Sequence, residues 1–278
     1  MMFKEVFVGL GLLLSVPVLA QTARTVSELP LLSGVYATGI SEDWLVSRPD
    51  AAAGVFRSAN GKEIVLSNGI LSRTFRIEPN AATVALDLLV SRRKTLLRGV
   101  KPEAELLIDG RLYPVGGLLG QPNYAFLQPA WVDTLHSDPA AFQFTGFAVG
   151  KAKAPFPWKR VRHHAPGAAW PPGGVHLRMD YRLPQGAGSD ILVQVHYELY
   201  DGIPVIAKWI AVENRGNISI TIDRFYSELL AAVEYGGSVE ARKYTAPPPA
   251  IHVETDFAFA SMYAEDANHH VVHWQPDP

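Results

Sequence analysis

Residues 150–174 gather side chains suited to recognising a ligand. Phe156, Trp158 and Trp170 stand among Lys151, Lys153, Lys159, Arg160, Arg162 and the pair His163-His164. Aromatic faces stack on the C–H face of a sugar while Lys, Arg and His donate to its hydroxyls, so the mixture suits carbohydrate contact. Trp and Arg are also the usual anchors of a protein interface. Pro155, Pro157, Pro166, Pro171 and Pro172 obstruct a regular ladder, which makes the segment a long loop or arm. The candidate carbohydrate-binding residues are therefore Phe156, Trp158, Lys159, Arg160, Arg162, His163 and Trp170. An arm folded onto its own domain, with Trp158 and Trp170 filling gaps beneath it, satisfies the same composition.

Other chemistry is less well provided for. Glycoside hydrolysis needs two facing carboxyl groups about 5–9.5 Å apart. Asp180, Glu198, Asp201, Glu213 and Glu228 are candidates, but nothing in their spacing brings any two together. The simpler expectation for each is a solvated carboxylate at a strand edge or turn. His269 and His273 are four apart, but His270 stands where a zinc protease needs its Glu base, and no further ligands adjoin them or His163-His164. No G-x-S-x-G elbow occurs. Gly116-Gly117-Leu118-Leu119-Gly120 lacks the spacing of a phosphate loop or dinucleotide fingerprint. No catalytic residue, metal or cofactor is assigned.

Composition narrows the classes further. The 278 residues carry 25 Lys+Arg against 27 Asp+Glu, a net charge of −2, which argues against general nucleic-acid binding. Hydrophobic content of 48% is ample for a core. The absence of Cys removes disulfides, thiolate metal sites and cysteine nucleophiles. Lys4, the apolar run from Val6 to Leu14 and the small-residue ending Val18-Leu19-Ala20 form an export signal over residues 1–20. That run is too short to span a bilayer, and no later segment approaches the length required, so an exported, non-integral protein is expected, periplasmic or extracellular.

The mature chain reads as β-structure. Val193, Val195, Tyr197 and Leu199 alternate with Gln194, His196, Glu198 and Tyr200, which places the first set inward. Asp201-Gly202-Ile203-Pro204 is a turn, residues 205–212 are apolar on both faces as for a strand covered on two sides, and Ile218, Ile220 and Ile222 alternate after Asn214-Arg215-Gly216-Asn217. Those three strands are expected to form an antiparallel meander. Upstream, residues 64–66 and 70–77 flank an Asn68-Gly69 hairpin turn, and residues 83–90, 105–108 and 176–183 are further strands. Short helical turns are expected at 129–133 and 137–142, with Asp138-Pro139 opening a turn in the second. The economical architecture is all-β: a large antiparallel two-sheet sandwich with few short helices.

The run Val193-Gln194-Val195-His196-Tyr197-Glu198-Leu199-Tyr200-Asp201-Gly202-Ile203-Pro204-Val205-Ile206-Ala207-Lys208 through Ala211-Val212-Glu213-Asn214-Arg215-Gly216 resembles a region of family 36-type glycoside hydrolases, the group of the large α-galactosidases. It is similar to their N-terminal β-supersandwich, and Ser67-Asn68-Gly69-Ile70-Leu71-Ser72 resembles that domain's opening hairpin. The resemblance covers residues 64–234. It implies an extension with first strands over 21–60 and the sandwich over 61–278. In that family, catalysis belongs to a following (β/α)₈ barrel with an Asp nucleophile and an Asp acid/base. A barrel needs about 250 residues, whereas Tyr235 to Pro278 is 44 residues, so no catalytic residue carries over. The expectation is the front portion of a longer glycosidase, a non-catalytic module supporting a barrel and contacting galactoside or oligosaccharide. A stand-alone carbohydrate-binding protein and a ligand-free structural or assembly domain, homo-oligomeric or not, are the alternatives.

Overall fold

The structure, a computed structural model, describes residues 24–47, 49–91, 94–124, 126–154, 156–157, 169–184, 190–232, 251–253 and 272–274. Residues 1–20, expected to form an export signal, and Trp158, Lys159, Arg160, Arg162, His163, His164, His269 and His270 lie outside them.

Three antiparallel sheets build the body. The first is β1 (Gly54–Arg57), β2 (Glu63–Ser67), β3 (Leu71–Arg76), β4 (Ala82–Leu88) and β5 (Lys94–Thr95), paired in sequence order. After β6 (Leu97–Gly99) comes the hairpin of β7 (Ala104–Ile108) and β8 (Arg111–Val115). Its Asp109-Gly110 turn has φ of 49° and 74°, the doubly positive turn that suits the twist of a two-residue hairpin. The second large sheet is β9 (Gln143–Lys151), β10 (Gly174–Arg182), β11 (Ile191–Tyr200) and β12 (Ile206–Asn214). β13 (Ile222–Tyr226) joins β7 and β8 in the third sheet, β14 (Ala231–Ala232) pairs with β6, and β15 (Ile251–Val253) pairs with β16 (Val272–Trp274). The helices α1 (Val35–Thr38) and α2 (Pro129–Val132) are one turn each. Among the described residues no helix is long and apolar enough to cross a membrane.

The period-two pattern explains the core. Leu177, Met179 and Tyr181 on β10 and Val193, Val195, Tyr197 and Leu199 on β11 face inward. They meet Ile64, Leu66 and Phe75 of the first sheet and Leu106, Ile108 and Val115 of the third. Burial of each such side chain contributes about 1.5–3 kcal/mol. The protein is an all-β sandwich of antiparallel sheets, in agreement with the sequence pattern.

Three local expectations are corrected. The strand after β12 leaves the meander: β13 crosses to the third sheet, with Phe225 opposite Leu106. The meander runs the other way, from β9 to β12. β12 is consequently an edge strand, half-buried rather than covered on both faces. Residues 137–142 contain the turn expected to open at Asp138-Pro139, with Asp138 Oδ1 accepting from Ala140 N at 2.8 Å, but it does not continue as a helix. By contrast, Pro129 opens the short helix α2 within the expected 129–133.

Candidate functional site

The arm is rooted on β11 by two of the carboxylates singled out in the sequence. Glu198 Oε1 accepts from Lys153 N at 2.7 Å where the chain leaves β9, and its Oε2 accepts from Tyr200 OH at 3.1 Å. At the returning end, Asp201 N donates to Gly173 O at 2.9 Å, while Asp201 Oδ1 accepts from Ala53 N at 2.7 Å. Glu198 is therefore buried, not solvated, because the arm's backbone covers it. Of the predicted binding residues, Phe156 and Trp170 are brought together, with ring centroids 5.5 Å apart and planes inclined by 39°. Both rings are exposed, and Trp170 Nε1 donates to Phe156 O at 3.4 Å. This pair offers an aromatic surface at the arm's base. Trp158, Lys159, Arg160, Arg162 and His163 fall outside the described residues.

The remaining carboxylates have partners of their own. Asp180 pairs with Arg178 at 2.9 Å, and Glu213 with Arg215 at 2.8 Å. Glu228 joins a buried cluster that spacing did not reveal. Arg73 of β3 donates through Nη1 to Glu228 Oε2 at 2.6 Å and through Nη2 to both Glu228 Oε1 and Glu103 Oε2 at 3.1 Å. Lys208 of β12 donates to Glu228 Oε1 at 2.8 Å and to the carbonyl of Glu103 at 2.5 Å. Tyr197 OH donates to Glu103, as does Thr83 N at 2.5 Å. Two cations thus balance two carboxylates where all three large sheets meet. Burial by itself would raise the Glu103 pKa, but Arg73 and Lys208, with the bonds from Tyr197 and Thr83, hold it below the usual carboxylate value. Burial pushes Tyr197 well above the ordinary phenol. With its oxygens committed to these partners and 1% exposure, Glu103 has no access to a substrate. The cluster acts as an electrostatic lock on the sandwich.

On the outer face of the second sheet, His176, His196 and Trp209 lie side by side on β10, β11 and β12. Their rings are stacked, with His196 and Trp209 centroids 4.9 Å apart, and His176 Nε2 and His196 Nδ1 share a hydrogen bond of 2.9 Å. Burial, then His176 and Arg178, push His196 down to about 4, outweighing Asp180, which acts in the opposite direction. A histidine whose folded value is depressed loses stability as pH falls from its ordinary 6.5 toward that folded value, because only the unfolded chain binds the proton there. Melting temperature should therefore drop between pH 7 and pH 5, above the carboxylate range; burial also depresses His176, so His196→Gln should reduce that slope rather than abolish it. An unchanged slope in the variant would contradict the assignment.

Taken together, the fold and these clusters define an all-β sandwich with an ion-locked interior and an aromatic arm. Comparisons with protein-family models, curated proteins and solved structures return no match.

Proposed function

We propose that the chain is a non-catalytic sandwich module of an exported, α-galactosidase-like glycoside hydrolase, supporting a catalytic barrel and touching carbohydrate through the Phe156–Trp170 arm. One observation carries this reading: β13 is exposed along its whole length, with apolar side chains standing beside Asp223 and Arg224. Ile222 and Phe225 lie in register with buried Ile108 and Leu106, yet are 43% and 59% exposed. Ile218, Tyr226 and Leu230 extend the apolar surface, as an edge meant to be covered by a partner domain would. The commitment of Glu198, Asp201, Glu213 and Glu228 to structural partners fits a supporting role, and the strand-and-turn resemblance over residues 64–234 supplies the family.

The test has two arms. The purified chain should leave p-nitrophenyl α-galactoside intact; turnover abolished by substituting a single carboxylate would sink the module reading. Raffinose should alter tryptophan fluorescence, and Trp170→Ala should remove that response. A second reading, a stand-alone carbohydrate-binding protein, is favoured by the exposed Phe156–Trp170 pair alone. It predicts sugar binding that does not depend on covering β13, so Phe225→Ser should improve solubility without altering raffinose affinity.

A further inference from the structure

We infer that the outer face of the first sheet carries a separate binding site, a cleft for a small neutral polyhydroxylated ligand. The cleft encloses about 560 Å³, within the usual range of small-molecule sites, about 300–1,000 Å³. Its floor is a row of short side chains in register across three strands: Val65 opposite Thr74, and Thr74 opposite Ala85. Longer side chains, Glu63 opposite Arg76, rise at one end, and the polar pair Asp87 opposite Thr95 closes the other. A depression with polar ends follows directly from that residue order on alternating strands.

The remaining wall is the segment carrying Leu127, Pro129, Val132 and Asp133. It is held in place twice. Arg76 Nη2 donates to Asp133, and Leu127 packs on a small cluster of Ala82, Val100, Leu118 and Leu135. The wall is therefore built into the fold.

Charge and chemistry select the ligand. Glu63 and Asp133 are offset by Arg76, which reaches Glu63 at 3.4 Å, and by Lys62, which reaches Asp133 at 3.1 Å. Little uncompensated charge is left at that end for an ion to neutralise. The lining includes the hydrogen-bonding side chains Ser58, Asn60, Thr74 and Thr95; Ser58 Oγ donates to Asn60 Oδ1 at 2.6 Å, and Thr95 Oγ1 accepts from Leu97 N at 3.4 Å while keeping its own hydrogen to donate. Apolar patches at Leu97, Leu127 and Val132 lie among them. Hydroxyl groups alternating with C–H faces match that arrangement, as in a mono- or disaccharide. This site is independent of the arm, which leaves from the opposite sheet.

Saturation-transfer NMR and calorimetry on the full chain, with galactose and raffinose as probes and putrescine as a cationic control, provide the test. Ala85→Trp fills the floor and should weaken sugar binding by about tenfold or more. Thr74→Val removes a hydroxyl at nearly constant volume and should weaken it about fivefold, as loss of one hydrogen bond does, so the proposal stays testable if the tryptophan variant misfolds. Trp170→Ala, which removes binding at the arm, should leave residual sugar binding that Thr74→Val still weakens. Sugar binding lost in Trp170→Ala but intact in Thr74→Val would overturn the cleft and leave the arm standing. Putrescine bound more tightly than either sugar, or no sugar binding by the wild type, would also overturn it.

Discussion

Arg73→Met is expected to cost about 3–5 kcal/mol of stability, a large share of the roughly 5–15 kcal/mol typical of a folded domain. The substitution leaves Glu103 buried beside Lys208 without its guanidinium, and frees Glu228 from a two-pronged grip. Leaving one member of a buried pair unpaired is what makes such changes severe, more than the worth of the pair itself. The cation also lies 4.8 Å from the Tyr197 ring centre, a contact that methionine replaces only in part. Urea unfolding followed by tryptophan fluorescence measures the loss. Arg73→Met combined with Glu103→Gln should cost less than the two single changes added, since the stranded charge has gone. A loss under about 1 kcal/mol in the single variant would show that the cluster is not the lock described. The lock also has a pH signature. Because the folded Glu103 value is depressed, its contribution is complete above its ordinary 4.5 and disappears as pH falls through the lower folded value.

Asn68→Ala should be the next most damaging change, at about 3 kcal/mol or more, because buried groups on both sides lose their partners. Asn68 Oδ1 accepts from Ile70 N and Leu71 N, each at 3.0 Å, which shapes the loop between β2 and β3. Its Nδ2 donates to Tyr200 O at 2.8 Å and Ile203 O at 2.7 Å, which fastens that loop to the β11–β12 turn. The side chain is fully buried. Gly69, with φ of 78°, accommodates the left-handed backbone that follows. Asn68→Asp keeps the acceptor but loses the donors and introduces a buried charge, so it should be no milder. Thermal melting of both variants checks this, and an alanine variant that retains wild-type stability would contradict it.

How much of this was legible in the sequence depended on range. Alternation in 176–183 and 193–199 located β10, β11 and their inward faces, because period two is a local property. Asn68-Gly69 marked a turn for the same reason. What Asn68 does beyond its own loop was invisible, since its second set of partners lies over 130 residues away. The departure of β13 from the meander was equally hidden: a strand's pattern shows which face is apolar, not which neighbour it pairs with. Phe156 and Trp170 could be chosen from composition, but their meeting depends on Glu198 and Asp201 holding the arm's roots. Lys208 in an otherwise apolar strand and Arg73 two residues before Phe75 were the available signals of the ion cluster. Neither named its partner, because Glu103 is 30 residues from Arg73 and Glu228 is 155 away. The cleft was missed because its floor is defined by short side chains, which become informative only once strand register is known.

The ion cluster also constrains inheritance. Arg73, Glu103, Lys208 and Glu228 are scattered along the gene, yet the first three are buried, and each of those is tolerable only while its partners persist. Drift at these codons should therefore be slow and paired, with apolar replacements arriving as a set or not at all. Descendants that abandon the charges would have to refill one shared volume with carbon.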